Sequence, residues 1–240
     1  DQGMPALALK TFAVMRKMFN WAVSRDLLDR SPCDGVAPPA RTYPRERVLT
    51  DAEVTRIFRA CGSDSFGNIV KLLMLTGQRR GEISALKWSH IDEVGRTITL
   101  PSSMTKNRRQ HTFPFGETVA AILAGAPRTG DYVFAARGND EGSFSGWSKS
   151  KVRLDEVCGV EAWTLHDLRR TVATNLAALG TPVHVTEKLL NHVSGTLSGI
   201  VSVYQRHTYM EDMRAAVAAW DARLCELLKG SIAKASDAPR

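Results

Sequence analysis

The chain has 240 residues, 43% of them hydrophobic, and a formal net charge of +7. That length allows one substantial core, and a basic excess of that size points to a polyanionic partner, nucleic acid foremost. The scattered cysteines Cys33, Cys61, Cys158 and Cys225 form no C-x-x-C pair, which excludes a disulfide framework or zinc module and suits a reducing, cytoplasmic setting; no apolar run approaches the roughly 18 residues of a membrane span, and no signal peptide is visible.

Residues 6–29 read as one amphipathic helix, with Phe12, Met15, Phe19 and Ala22 on one side and a stop at Ser31-Pro32. Such a helix cannot bury its own face, and the chain opens on Asp1 with no initiator methionine. Residues 1–32 are therefore expected to be the last helix of a truncated helical domain. Residues 33–48, rich in proline and basic side chains, are expected to be a linker. Its Arg41, Arg45 and Arg47 suit a segment crossing a phosphate backbone, or are ordinary solvated linker charge.

A compact domain is expected over 49–230. Thr50 and Glu53 have capping-box spacing and open a helix. Residues 68–76 form a second, closed by Gly77, and "GEISALKW" a short third. "RTITLP" and "HTFPF" read as strands flanking the basic hairpin tip "SSMTKNRRQ". Helices are predicted at 117–125 and 148–158 with a Gly-rich loop between them, then at 165–179 and 182–190, followed by a Gly/Ser-rich loop at 193–199. The helix at 210–229 carries the stripe Met213, Val217, Trp220, Leu224 and Leu227, expected to pack on its own domain in the free protein. Residues 231–240 are expected to be a disordered tail. The fold class is mainly α with a small antiparallel β-sheet (α+β).

Chemistry concentrates in "WTLHDLRRTVATNL", residues 163–176. Thr164 and Asp167 are spaced as a capping box, and Leu165, Leu168, Val172 and Leu176 form the core stripe. His166 and Arg169 lie beside that stripe on the first turns, where a helix already presents unpaired N–H groups, so an anion is expected there. "TGQRRGEISALKW" places Arg79 just after the Gly77 stop, with Glu82 one turn later to brace a cation. Lys106 sits at the hairpin tip, either reaching into a groove or as an ordinary surface lysine. His192 in "KLLNHVSG" is a second imidazole near a helix end. "SVYQRHTY" supplies Tyr204 and Tyr209. Arg108, Arg109, Lys149 and Lys151 extend the basic surface as DNA-binding candidates.

In that order, Arg79, Lys106, His166-x-x-Arg169, His192 and Tyr204 resemble the tyrosine recombinase (phage integrase) family. "LTGQRRGEISALKW" looks like its first arginine motif, "LHDLRRTVATNL" its His-x-x-Arg motif, "LLNH" its second-histidine segment, and "VYQRHTY" its nucleophile segment. The resemblance covers roughly residues 48–225. The long gap between His192 and Tyr204 is similar to prophage and genomic-island integrases and leaves Tyr209 as the alternative nucleophile.

The resemblance implies a site-specific DNA recombinase of a phage or prokaryotic mobile element. Tyr204 would attack the phosphorus and form a 3′-phosphotyrosine, Arg79, Arg169 and His192 would hold the phosphate, His166 would take the phenol proton, Lys106 would protonate the leaving 5′-oxygen, and Glu82 would support the site. It also implies double-stranded DNA as partner, a monomer in solution, a homotetramer on paired sites linked through C-terminal segments, and room for accessory DNA-bending proteins. No cofactor, metal or ATP is expected, and the histidines show no H-x-x-x-H spacing. Two other readings remain open from sequence: type IB topoisomerase-like relaxation, and a DNA-binding accessory protein that does not cut.

Overall fold

The computed structural model describes residues 3–41, 45–136, 138–192 and 207–236. It divides into two compact units, 1–46 and 47–240.

In the first unit, helix α1 spans Pro5–Val23, with proline at its start, and buries none of its residues. It ends well before the expected Ser31-Pro32 stop. Asp26 adopts φ 55°, and the Asp26 and Leu27 amides donate to the Val23 and Ala22 carbonyls. This is a Schellman closure with aspartate, which tolerates the left-handed region, in the position glycine usually takes.

The second unit is built around helix α3 (Ser65–Thr76). Its N-terminus is capped by Asp64, which accepts from the Gly67 amide, and nine of its twelve residues are buried. It therefore starts three residues before the expected position. Helix α2 (Asp51–Ala60) opens on the Thr50–Glu53 capping box. Helix α4 (Arg80–Ser84) follows α3 directly. Strands β1 (Ile91–Asp92), β2 (Thr97–Leu100) and β3 (His111–Pro114) form an antiparallel sheet in the order β1-β2-β3. Ile98 pairs with Phe113 and Leu100 with His111, so one face of the β2–β3 pair is buried, while Thr99 and Thr112 bond each other on the opposite face.

Helix α5 (Glu117–Ala124) leads to a second, two-stranded antiparallel pair, β4 (Ala135–Ala136) and β5 (Asn139–Ser143), in the stretch expected to be loop. Strands this short and glycine-flanked leave too few alternations to read from sequence. Helices α6 (Trp147–Cys158), α7 (Leu165–Ala178) and α8 (Val183–Leu189) follow. Helix α9 (Met210–Ser236) packs on this same unit. It buries Met213, Ala216, Val217, Trp220 and Leu224, and the Trp220 indole donates to the Met74 carbonyl of α3. Among the described residues no helix is long and apolar enough to cross a membrane.

Candidate active site

The site forms where α3, α7 and α8 end or begin against one another. Helix α3 stops at Gly77, which adopts φ 64°; a Cβ there would lie 2.6 Å from Leu190 Cδ2 and 3.0 Å from Val172 Cγ1. Only glycine meets both the left-handed backbone and this approach of three helices. Beyond it Gln78 is buried, and Arg79 forms the N-cap of α4.

Helix α8 ends in another Schellman closure. Asn191 takes φ 53°, its amide donates to the Lys188 carbonyl, and the His192 amide donates to the Glu187 carbonyl at 2.9 Å. "LLNH" thus encodes a left-handed stop that fixes the backbone of His192. The last carbonyls of α8, orphaned by the helix end, each receive a side-chain donor from a distant segment. Gln78 Nε2 donates to Leu189 O at 2.8 Å, and His111 Nε2 lies 3.1 Å from the same oxygen. Arg169 donates to Leu190 O, and Arg79 donates to Asn191 O at 3.2 Å.

Arg169 is 4% exposed and also donates to Gly77 O at 2.9 Å, so it bridges the ends of α3 and α8. Glu82, itself buried, accepts from both the backbone amide (3.1 Å) and the guanidinium (2.9 Å) of Arg79. These acceptors offset the repulsion between the two arginines. Burial, then the nearby Arg79, lowers the Arg169 pKa to about 10, with Glu82 acting the other way; Arg169 stays cationic at neutral pH.

The second arginine of the motif has a different fate. Asp167 is fully buried, accepts from the Thr164 amide (2.8 Å) and hydroxyl (3.0 Å), and pairs with Arg170 at 2.6 Å. The capping carboxylate therefore holds Arg170 and leaves Arg169 to the backbone carbonyls.

A cleft of about 530 Å³ is lined by Gln78, Arg79, Arg80, Trp147, Ser148, Lys151, Trp163, Thr164, Leu165, His166 and Arg169. It brings together Arg79, His166 and Arg169. The His166 pKa is lowered by partial burial and by Arg170 and Arg169. His192 lines a separate cavity of about 280 Å³ together with Asn107, Asn191, His207 and Tyr209. Its pKa falls to about 4, through partial burial and then Arg169 and Arg79. Both imidazoles are thus neutral near pH 7 and able to accept or donate a proton.

Lys106 is exposed in the β2–β3 loop and lines neither cavity. The next residue ties that loop to the site, since Asn107 Nδ2 donates to Asn191 Oδ1 at 2.6 Å. Tyr204 lies outside the described residues. Tyr209 takes φ 54° just ahead of α9, and its ring contacts His184 (4.9 Å) and His207 (4.5 Å), away from the residues lining the arginine cleft.

Arg41, Arg108, Arg109 and Lys149 are exposed. Arg45 lies in the first unit. Arg47 is tied to Glu53 at 2.7 Å and to the Glu161 carbonyl at 3.1 Å. Lys151 bonds Asp155 at 2.6 Å and sits 4.0 Å from the Trp163 ring centroid. Sequence reading missed Gln78, His111, Asn107 and Asn191. Asn191 carried a legible signal, an asparagine just past a helix; the other three are brought in by tertiary contact. Among the described residues no group of three or more His, Cys, Asp or Glu could hold a metal ion.

A sequence model of the family described as the phage integrase family matches residues 47–211. The chain belongs to the phage integrase family. It is 26% identical over 239 residues to prophage integrase IntZ of Escherichia coli K12, covering 96% of this chain and 58% of that protein. It is 25% identical over 236 residues to tyrosine recombinase XerD of Mycobacterium tuberculosis H37Rv, covering 88% and 75%. The chain thus spans under two thirds of the length of IntZ. Among solved structures it resembles lambda integrase (75–356) bound as a dimer to a COC′ core site, at TM-score 0.65 and 21% identity over 83% of this chain and 76% of that one. The integrase of mycobacterium phage Brujita matches at TM-score 0.60 and 20% identity, over 95% and 79%. The family and the fold are those expected from the motifs: mainly helical, with a small antiparallel sheet.

Proposed function

We propose that this phage integrase family chain is the catalytic part of a site-specific DNA recombinase, with residues 49–230 as catalytic domain, 33–48 as linker and 1–32 as the end of a helical DNA-gripping domain. The observation that supports this most is the convergence of Arg79 and Arg169 on one cleft, each fixed from behind by carbonyls of the α8 terminus. Two guanidiniums so held suit the non-bridging oxygens of a phosphodiester and the charge that grows on them in the transition state.

In this reading the Tyr204 oxygen bonds to phosphorus as the bond to the 5′-oxygen breaks. His166 takes the phenol proton, and Lys106 returns one to the leaving oxygen. His192 donates to the same phosphate from its fixed backbone, and Glu82 holds Arg79. The partner strand's 5′-hydroxyl then attacks the phosphotyrosine, which conserves the bond energy without ATP. Lambda integrase has been solved as a tetramer bound to a Holliday junction, and the same assembly on paired double-stranded sites is proposed here, built from monomers and open to DNA-bending accessory proteins.

The test is covalent capture. Wild-type chain incubated with a randomised pool of nicked duplexes should give detergent-resistant protein–DNA adducts in EDTA, with the DNA on Tyr204. Tyr204→Phe should give none, and Tyr209→Phe should retain them. Adducts on Tyr209 would reassign the nucleophile. DNA ends released free of protein, or dependent on a divalent metal, would point to a nuclease.

A further inference from the structure

The cleft holds a cation that the mechanism above leaves unused. Arg80 is the first residue of α4, directly after Arg79. Consecutive residues at a helix start point in different directions. The Arg79 guanidinium turns to the end of α8, while that of Arg80 lies over the Trp147 ring, 4.8 Å from its centroid. Trp147 is a fixed platform: Phe144 meets it edge-on at 4.9 Å and Phe66 at 6.2 Å. Among the described residues Arg80 meets no carboxylate, whereas the neighbouring Lys151 is neutralised by Asp155. A guanidinium resting on an aromatic ring keeps its in-plane donors free for an anion and has already lost much of its rotamer freedom. The cleft, at about 530 Å³, is also the size of a small-ligand pocket and far exceeds one phosphate.

We infer that Arg80, held on Trp147, is a second phosphate-binding point that takes a phosphate flanking the scissile one on the same DNA strand. This rests on the recombinase reading. Its role is to set the register of the strand, so that the scissile phosphate arrives between Arg79 and Arg169.

The test uses a duplex recovered by the covalent capture above, remade with a single uncharged methylphosphonate at each phosphate flanking the cleavage point in turn. Wild type should lose about ten-fold or more in single-turnover cleavage at one flanking position, the scale of a lost charge-assisted contact. Arg80→Ala should be slowed on the ordinary duplex and show little further loss at that position. Arg80→Lys should fall between. Trp147→Leu, checked for folding by circular dichroism, should keep part of the sensitivity. If Arg80→Ala retains the full penalty, or wild type shows none at any flanking phosphate, the assignment is overturned while the recombinase reading stands. A wild-type chain that cleaves no duplex at all removes both.

Discussion

Two basic regions of this chain contrast sharply. The β2–β3 loop carries Lys106, Arg108 and Arg109 exposed to water. Its backbone is held by the buried Thr105, whose hydroxyl donates to the Arg109 carbonyl at 2.7 Å, and by the Asn107–Asn191 bond, but no contact among the described residues aims the three cationic groups. At the α3–α8 junction a carbonyl from the end of α8 holds each of Arg79 and Arg169, the buried Glu82 also holds Arg79, and the carbonyl of the left-handed Gly77 also holds Arg169. The same kind of side-chain charge therefore means different things. In the proposed reading the loop's Arg108 and Arg109 steer and attract a polyanion, whereas the junction arginines are aimed before any ligand arrives, and aimed charge is what a transition state can use.

The largest expected effect separates the two directly. Arg79→Ala or Arg169→Ala should lower single-turnover cleavage roughly 10²-fold or more, the cost of losing one oxyanion donor. Arg169→Lys should recover little, because an ammonium that takes up Gly77 O and Leu190 O has one donor left and lacks the planar fork with which the guanidinium meets a phosphate. Near-normal cleavage by either alanine variant would erase the contrast.

Gly77→Ala should damage the scaffold behind the arginines. The added methyl meets Leu190 and Val172 in a backbone conformation that disfavours it, a cost of about 2–4 kcal/mol. Thermal unfolding should show a lowered Tm, and cleavage should fall further than stability alone explains, since Leu190 carries the carbonyl that holds Arg169. An unchanged Tm would mean that the junction is looser than its geometry.

A comparable effect should come from acid. His111 is buried on β3, against Phe113 and the end of α8, and burial lowers its pKa from 6.5 to about 4. Its folded pKa lies below its unfolded one, so its contribution is fully present above pH 6.5 and is lost as pH falls toward 4. The loss reaches about 3 kcal/mol at the lower limit. His111→Gln, which can still donate to Leu189 O, should lose that part of the acid sensitivity in denaturant titrations at pH 7 and pH 4.5. Equal acid sensitivity in the two proteins would place the titrating group elsewhere.

The smallest effect belongs to the loop. Arg108→Ala and Arg109→Ala should each reduce the salt slope of DNA binding by about 0.9 if they contact phosphate, and change the cleavage rate at saturating DNA only a few-fold. A hundred-fold rate loss would give Arg108 or Arg109 a catalytic role beside the one proposed for Lys106.

The difference between the regions also marks what the sequence could tell. Local chemistry was legible. Thr50–Glu53 and Thr164–Asp167 fixed two helix starts by their spacing, Gly77 fixed a stop, and the Leu168, Val172 and Leu176 stripe fixed a buried face. The site's order along the chain was legible through family resemblance. Its anchoring was not, because Gln78, Arg79 and Arg169 find their carbonyls across 111, 112 and 21 residues of chain, and no short-range pattern encodes a meeting of helix ends. The early end of α1 was missed because aspartate took the place of the usual glycine at Asp26.

Replacing the scissile phosphate itself with an uncharged methylphosphonate tests the arginine clamp most directly. If Arg79 and Arg169 act by neutralising charge on that phosphate, the defect of roughly 10²-fold or more expected for Arg169→Ala on the ordinary duplex should shrink to a few-fold on the methylphosphonate, measured as single-turnover adduct formation. A defect of the same size on both substrates would contradict the clamp.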